Sequence, residues 1–189
     1  EDLLEVAINK KMIFGFNTKA LKVSPKLLEL LTRKDIQPTS YISLSVDAGS
    51  NEVYNTFHGV KASSKIYDKV LKNTEKIVES CRKGGSVFDI SAAYLVNKNN
   101  WAVSEVTRFI EDFKGVGCNL LRFTFPQPPR ETPLADGIIP SVGDVAMALR
   151  NLTPIVNSSS TDNCKVMIVD ADSEYGIFHK PRTNPCFAR

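Results

Sequence analysis

The stretch Tyr41-Ile42-Ser43-Leu44-Ser45-Val46-Asp47-Ala48-Gly49-Ser50-Asn51-Glu52-Val53-Tyr54-Asn55-Thr56-Phe57-His58-Gly59 decides the fold. It reads as a buried strand, a tight glycine turn and a short helix. Along the strand, Tyr41, Ser43, Ser45 and Asp47 project one way, while Ile42, Leu44 and Val46 project the other. The apolar row suits a face covered by helices. The polar row is too hydrophilic for an ordinary barrel interior and is expected to line a wet cavity. A strand that ends in Ser-x-Asp and feeds a helix is where α/β folds place ligands.

Working outward, further short apolar runs predict strands at Met12–Thr18, Val87–Val96, Asn119–Phe125 and Lys165–Asp170. Helical patterns lie between them. Ser24-Pro25 is a cap followed by proline at the first helical position, with Leu27, Leu28 and Leu31 as the inner stripe. Ile66, Tyr67, Val70, Leu71, Thr74, Ile77, Val78 and Cys81 repeat at helical spacing along the longest helix. Ala102, Val106, Phe109, Ile110 and Phe113 do the same, and Gly115 and Gly117 punctuate the end. Ser141-x-x-Asp144 is a capping box opening a helix with Val145, Ala146 and Leu149 inward. Alternating strands and helices, with enough chain in each crossover, predict a parallel sheet.

If the strands curl into a barrel, Thr18, Ser45, Asp47, Ser91, Arg122 and Thr124 are expected to face its lumen. A closed barrel fills that space with aliphatic side chains. Hydroxyls and charges there predict an open, partly hollow barrel with a ligand inside.

Bulk properties bound the function classes. At 189 residues the chain is long enough for one domain with a sizeable core, and 1–189 is read as a single domain. Its 42% hydrophobic and 24% charged content is that of a soluble globular protein. A net charge of +3, evenly spread, argues against nucleic acid. No apolar run approaches a membrane span and no signal peptide is visible, which predicts no membrane partner. Cys81, Cys118, Cys164 and Cys186 contain no Cys-x-x-Cys pair, so they are neither a zinc pattern nor a compact disulfide framework, and a reduced, cytoplasmic setting is expected. The chain opens Glu-Asp-Leu-Leu without methionine, which reads as an internal fragment.

Several short motifs, in order, resemble the middle of a radical S-adenosylmethionine (radical SAM) enzyme of the SPASM-like branch. Phe16-Asn17-Thr18-Lys19-Ala20-Leu21 resembles the family's strand ending in Thr-Asn-Gly, and Ser45-Val46-Asp47-Ala48-Gly49 its Ser-Leu-Asp-Gly strand. Tyr54 through His58-Gly59 resembles the next segment, where the family more often has Arg-Gly, and Tyr67-Asp68-Lys69-Val70-Leu71-Lys72-Asn73 the helix after it. Leu95-Val96-Asn97-Lys98-Asn99-Asn100-Trp101 resembles a strand end carrying an asparagine, and Gly117-Cys118-Asn119-Leu120-Leu121-Arg122-Phe123 the following strand. The likeness covers residues 1–125, and 126–189 read as a loop, helix, last strand and tail.

The resemblance implies a partial (β/α)6 barrel, an S-adenosylmethionine ligand and a [4Fe–4S] cluster held by a Cys-x-x-x-Cys-x-x-Cys loop. That loop is absent from this sequence. By register Met12–Thr18 is about the third barrel strand, so the first two are expected upstream of Glu1 and the isolated chain is expected to be inactive. The edge left unpaired predicts poor solubility.

The implied cofactor contacts are Thr18, Ser45, Asp47, Asn100 and Arg122. Each has a structural alternative. Thr18 and Ser45 are pocket hydroxyls or strand-end turn caps. Asp47 bonds ribose hydroxyls or forms an Asx turn with Gly49 and Ser50. Asn100 contacts cofactor or caps a helix starting at Trp101. Arg122 meets a carboxylate or pairs with Asp89. His58, before Gly59, is expected to pack or cap a helix end, and His179 has no visible partner. Cys186 is an auxiliary-cluster ligand or a free tail thiol.

The resemblance implies part of an enzyme in which a 5′-deoxyadenosyl radical abstracts hydrogen from a substrate, and its SPASM-like features imply a peptide or protein rather than a small molecule. The proline-rich loop from Pro126 is expected to shape that substrate site. The alternative is a non-catalytic α/β binding or scaffold domain without a cluster. An iron-free aldolase-like barrel ranks last, because no strand carries an inward lysine.

Overall fold

Strand order sets the architecture. The computed structural model describes residues 1–85, 88–126 and 141–169. The elements are α1 (Asp2–Asn9), β1 (Gly15–Thr18), α2 (Pro25–Leu31), β2 (Tyr41–Ser45), α3 (Asn51–His58), α4 (Ile66–Lys83), β3 (Asp89–Leu95), α5 (Val103–Gly115), β4 (Leu120–Thr124), α6 (Val142–Ser159) and β5 (Lys165–Ile168). The strands form one sheet in the order β1-β2-β3-β4-β5, every neighbouring pair parallel. Parallel strands taken in sequence, with right-handed crossovers, keep their helices on one side. That is a barrel wall, because a doubly wound sheet reverses its strand order midway. The predicted α/β fold with a partial barrel is what the chain builds.

Alternation along the strands divides the two faces. Ile42, Leu44, Ala92, Tyr94, Leu121 and Phe123 share the helix-covered face and are fully buried. Tyr94, Phe109 and Phe123 form a ring cluster there, with centroids 4.8 to 5.6 Å apart, and Phe109 stacks on to Phe113 at 4.8 Å. Each buried aromatic contributes about 1.5–3 kcal/mol by leaving water. The Tyr94 hydroxyl donates to the Asn100 carbonyl at 2.7 Å, so its polar end is satisfied within the core.

Local signals set the helix ends. Ser24 Oγ accepts from the Leu27 N–H at 3.0 Å ahead of Pro25, and Ser50 Oγ accepts from Val53 at 3.2 Å. Gly59, at φ 63°, ends α3 in a left-handed turn. Ser141 and Asp144 form the expected reciprocal capping box. Gly49 is required by close approach: a Cβ there would lie 2.0 Å from the Glu105 carbonyl oxygen in the first turn of α5.

The N-terminal part departs from expectation. The pattern at Met12 predicts strand, but Met12 and Ile13 are exposed and pairing starts only at Gly15. Lys11, at φ 53°, turns the chain out of α1, a helix the apolar pattern did not reveal. Val87, where the third strand is predicted to begin, lies outside the described residues. So do residues 127–140 of the proline-rich loop, Asp170, His179 and Cys186.

Candidate functional site

The face away from the helices is built of small and polar side chains. The register aligns Asn17 with Ser43 and Ser43 with Ser91 across three strands. One step toward the strand ends, Ser45, Ala93, Arg122 and Met167 form the next row, followed by Leu95 and Thr124. Because Ser43, Ser45, Ser91 and Ala93 are short, they leave room for the long Arg122 side chain above them.

Arg122 reaches across β3 and donates from Nη2 to Ser43 Oγ at 2.8 Å. Its Nε is buried and has no hydrogen-bond partner among the described residues. The expected alternative, an ion pair with Asp89, is not formed: Asp89 Oδ1 accepts instead from Asn119 Nδ2 at 3.0 Å. A buried donor left unpaired costs about 1–3 kcal/mol, more on a charged group. Arg122 thus presents a cation with an unused donor on the hydroxyl-lined face.

At the strand ends, side chains take over the main-chain ladder. The Val46 N–H still donates to the Ala93 carbonyl at 3.2 Å, but Asp47 turns left-handed at φ 60° and β2 veers away. In a regular parallel ladder the Leu95 N–H would next find a main-chain carbonyl. It donates to the Asp47 carboxylate instead, at 2.7 Å. Asn100 Nδ2 donates to the carbonyls of Asp47 and Leu95, both at 2.9 Å, while its Oδ1 accepts from the Asn97 N–H at 2.8 Å. Asn100 is fully buried and does not cap the next helix, whose N-cap is Ala102. Neither an Asx turn at Gly49 nor a helix cap at Asn100 is what these two side chains do; they bridge two strand ends.

Electrostatics at this rim follow from burial. Desolvation raises the Asp47 carboxyl above its ordinary value, opposed by the Leu95 N–H and by the charges of His58 and Lys19. Burial lowers His58 below the usual imidazole value, with Lys19 acting in the same direction and Asp47 and the Val46 carbonyl opposing. The His58 ring packs 4.3 Å from Tyr54 and 4.9 Å from Phe57, as expected for a packing role, yet its buried Nε2 has no partner among the described residues.

Thr18 corrects the sequence reading. It aligns with Leu44, on the helix-covered side, and Asn17 takes the place facing the hollow. A shift of one residue exchanges the faces of a strand. The Thr18 hydroxyl accepts from the Ala20 N–H at 3.0 Å, the turn-capping alternative. Asn17 and Ser43 are therefore the polar residues that sequence reasoning passed over. The alternation starting at Tyr41 already put Ser43 on the right face; for Asn17, only the register with β2 could have shown it.

Cys81, Cys118 and Cys164 are buried free thiols. Burial pushes Cys81 up to about 12 and raises Cys118 and Cys164 as well, so all three are protonated and unreactive at neutral pH. Among the described residues, no three His, Cys, Asp or Glu side chains converge to hold a metal ion, and no helix is long and apolar enough to cross a membrane.

No family model and no curated protein sequence matches the chain. Solved structures do. The crystal structure of Streptococcus suis SuiB superposes with a TM-score of 0.63 at 12% identity, over 88% of this chain and 35% of SuiB. SuiB bound to S-adenosylmethionine gives 0.60 at 13%, over 88% and 35%. Native anSMEcpe with bound AdoMet gives 0.55 at 18%, over 84% of this chain and 40% of that one. The chain spans well under half the length of each. At such identities the likeness is one of fold: five parallel strands and their helices follow the same path as in those structures.

Proposed function

We propose that this chain forms part of a radical SAM enzyme, its hydroxyl-lined face contributing to the S-adenosylmethionine pocket and the adjoining substrate cavity. The observation that carries this reading is the buried Nε of Arg122, unpartnered among the described residues, on a guanidinium whose Nη2 bonds Ser43. A guanidinium edge with a free donor fits a carboxylate, and the cofactor's amino-acid moiety carries one. In this reading Arg122 binds that carboxylate and Ser45, in the same row, offers a hydroxyl to the ribose or amino-acid part. Asp47 and Asn100 hold the rim through their bonds to β3, and Thr18 holds the turn at Ala20. The chemistry the cofactor would supply is hydrogen abstraction from a substrate above the strand ends, a peptide or protein if the SPASM-like likeness holds.

An iron–sulfur cluster does not fit the described residues, because their three cysteines are buried and apart from any ligand cluster. No step through such a cluster is assigned to them.

Calorimetric titration of S-adenosylmethionine into the natural polypeptide tests the reading. Arg122→Met is expected to weaken binding by about 10–100-fold, the worth of a charge-assisted hydrogen bond. Unchanged affinity in this variant, or no binding by the natural polypeptide, overturns it.

A second reading, a non-catalytic α/β binding or scaffold domain, is favoured by one fact: the hydrogen bonds made by the Asp47 carboxylate and the Asn100 amide all go to the protein's own main chain. It expects no S-adenosylmethionine binding.

A further inference from the structure

Two buried thiols meet where α5 and α6 end and β4 and β5 begin. Helix α5 closes in a two-bond cap. The Gly117 N–H donates to the Lys114 carbonyl at 3.0 Å and the Cys118 N–H to the Phe113 carbonyl at 2.9 Å, with Gly117 left-handed at φ 95°. In this motif the residue after the glycine turns its side chain back on to the helix. Cys118 is accordingly buried, 1% exposed, at the foot of β4. Cys164, 4% exposed, precedes β5 and shares the face of Val166, which aligns with Leu121 on the helix-covered side. Both sulfurs therefore lie in one layer, between the sheet and its helices.

The strand register sets their separation. The Lys165 N–H donates to the Asn119 carbonyl at 2.9 Å, which carries the β4–β5 ladder past the pair Leu120 and Lys165. Cys164 then stands opposite Asn119, with Cys118 one residue further along. Strands are spaced about 4.8 Å apart and residues along them about 3.3 Å, so the diagonal between the two Cα atoms is about 6 Å. A disulfide spans Cα separations of roughly 4.4–6.8 Å. The surroundings make the two thiols unequal. The Lys114 ammonium, whose Nζ donates to the Ser159 carbonyl at 2.5 Å, favours the thiolate of Cys164 against its burial. Cys118 is raised by burial and by Cys164 itself. Cys164 also leads into a strand of four residues that pairs, among the described strands, with β4 alone. Exchange that the closed core excludes proceeds when so short a strand opens.

We propose that Cys118 and Cys164 are a redox-active pair, which a small-molecule disulfide converts into a cross-link pinning β5 to β4. The Cys164 thiolate attacks one sulfur of the oxidant, whose S–S bond breaks and releases a thiolate. Cys118 then gives up its proton and attacks the Cys164 sulfur of the mixed disulfide. The Cys118–Cys164 bond forms and the second thiolate leaves. Two electrons pass from the protein to the oxidant, and the two thiol protons end on its two halves. The link closes residues 119–163, α6 among them, into a loop. It lies on the helix side of the sheet, away from the hydroxyl-lined hollow, and does not rest on the cofactor reading.

Peptide mapping tests it. The natural polypeptide is incubated with excess oxidised glutathione, alkylated under denaturing conditions, digested and read by mass spectrometry. The expected product is a peptide pair joining Cys118 to Cys164, two hydrogen atoms lighter than its separate parts and abolished by dithiothreitol. Cys118→Ser is expected to leave Cys164 as a mixed disulfide with glutathione, since the second thiol is gone. The link is expected to slow amide exchange at Cys164 and Lys165 by about 10-fold or more, because it holds the start of β5 closed. Alkylation of both cysteines overturns the proposal, as does bridging of either to Cys81 or Cys186. A Cys118–Cys164 link that leaves those two amides exchanging as before also overturns it.

Discussion

The Asp47 carboxylate accepts the Leu95 N–H at 2.7 Å where the ladder between β2 and β3 runs out, so one side chain holds two strand ends together. Asp47→Asn keeps the acceptor and tolerates the left-handed backbone, while it removes a desolvated charge. It is expected to melt no lower than wild type at pH 7. Asp47→Ala leaves the Leu95 N–H unpaired and is expected to lose about 1–3 kcal/mol in urea denaturation.

The same carboxyl imposes a pH dependence. Its folded pKa lies above the unfolded value, so the native state binds more protons in that interval. The Asp47 contribution is therefore fully present below the unfolded carboxyl range and is lost as pH rises through the folded pKa. Comparing wild type with Asp47→Asn by denaturation at successive pH values isolates it: the difference between the two is expected to grow across that interval in favour of the variant.

His58 has the opposite sign. Its folded pKa is depressed, so its contribution is present above the unfolded imidazole value and is lost as pH falls through the folded pKa. Lys19→Met removes a repelling charge and is expected to raise the His58 pKa; Asp47→Asn removes an attracting one and is expected to lower it. Proton NMR titration of His58 checks both directions.

Arg122 separates binding from stability. Arg122→Met deletes a buried Nε that has no partner among the described residues together with the bond from Nη2 to Ser43 Oγ, so its thermal stability is expected to change little even as S-adenosylmethionine affinity falls. Ser43→Ala instead takes away the hydrogen-bond partner of Nη2 and is expected to cost about 1–3 kcal/mol. Differential scanning calorimetry of the two variants compares them directly.

Gly49 marks the approach of α5 to the turn after β2. Gly49→Ala would drive a methyl against the Glu105 carbonyl and is expected to destabilise by about 1–3 kcal/mol or more, read from the urea midpoint. The Gly49 N–H also donates to Glu105 Oε2 at 3.1 Å, so any shift that relieves the clash strains this bond as well.

Much of the scaffold was legible in linear order. The apolar row Ile42, Leu44 and Val46, the caps Ser24-Pro25 and Ser141-x-x-Asp144, and the stripes of α4 and α5 are local patterns whose period or chemistry has few alternatives. They were enough to predict parallel strands with helices between them, and to put Ser45 and Arg122 on one face. What stayed hidden depends on pairing between distant segments. Whether Thr18 or Asn17 faces the hollow is set by alignment with β2, and the alternation within four residues cannot supply it. Whether Asp47 and Asn100 are free for a ligand depends on where the β2–β3 ladder ends, since main-chain groups released there claim the nearest polar side chains. Periodicity along a chain specifies which elements form; neighbours brought from dozens of residues away decide which polar atoms are left over for chemistry.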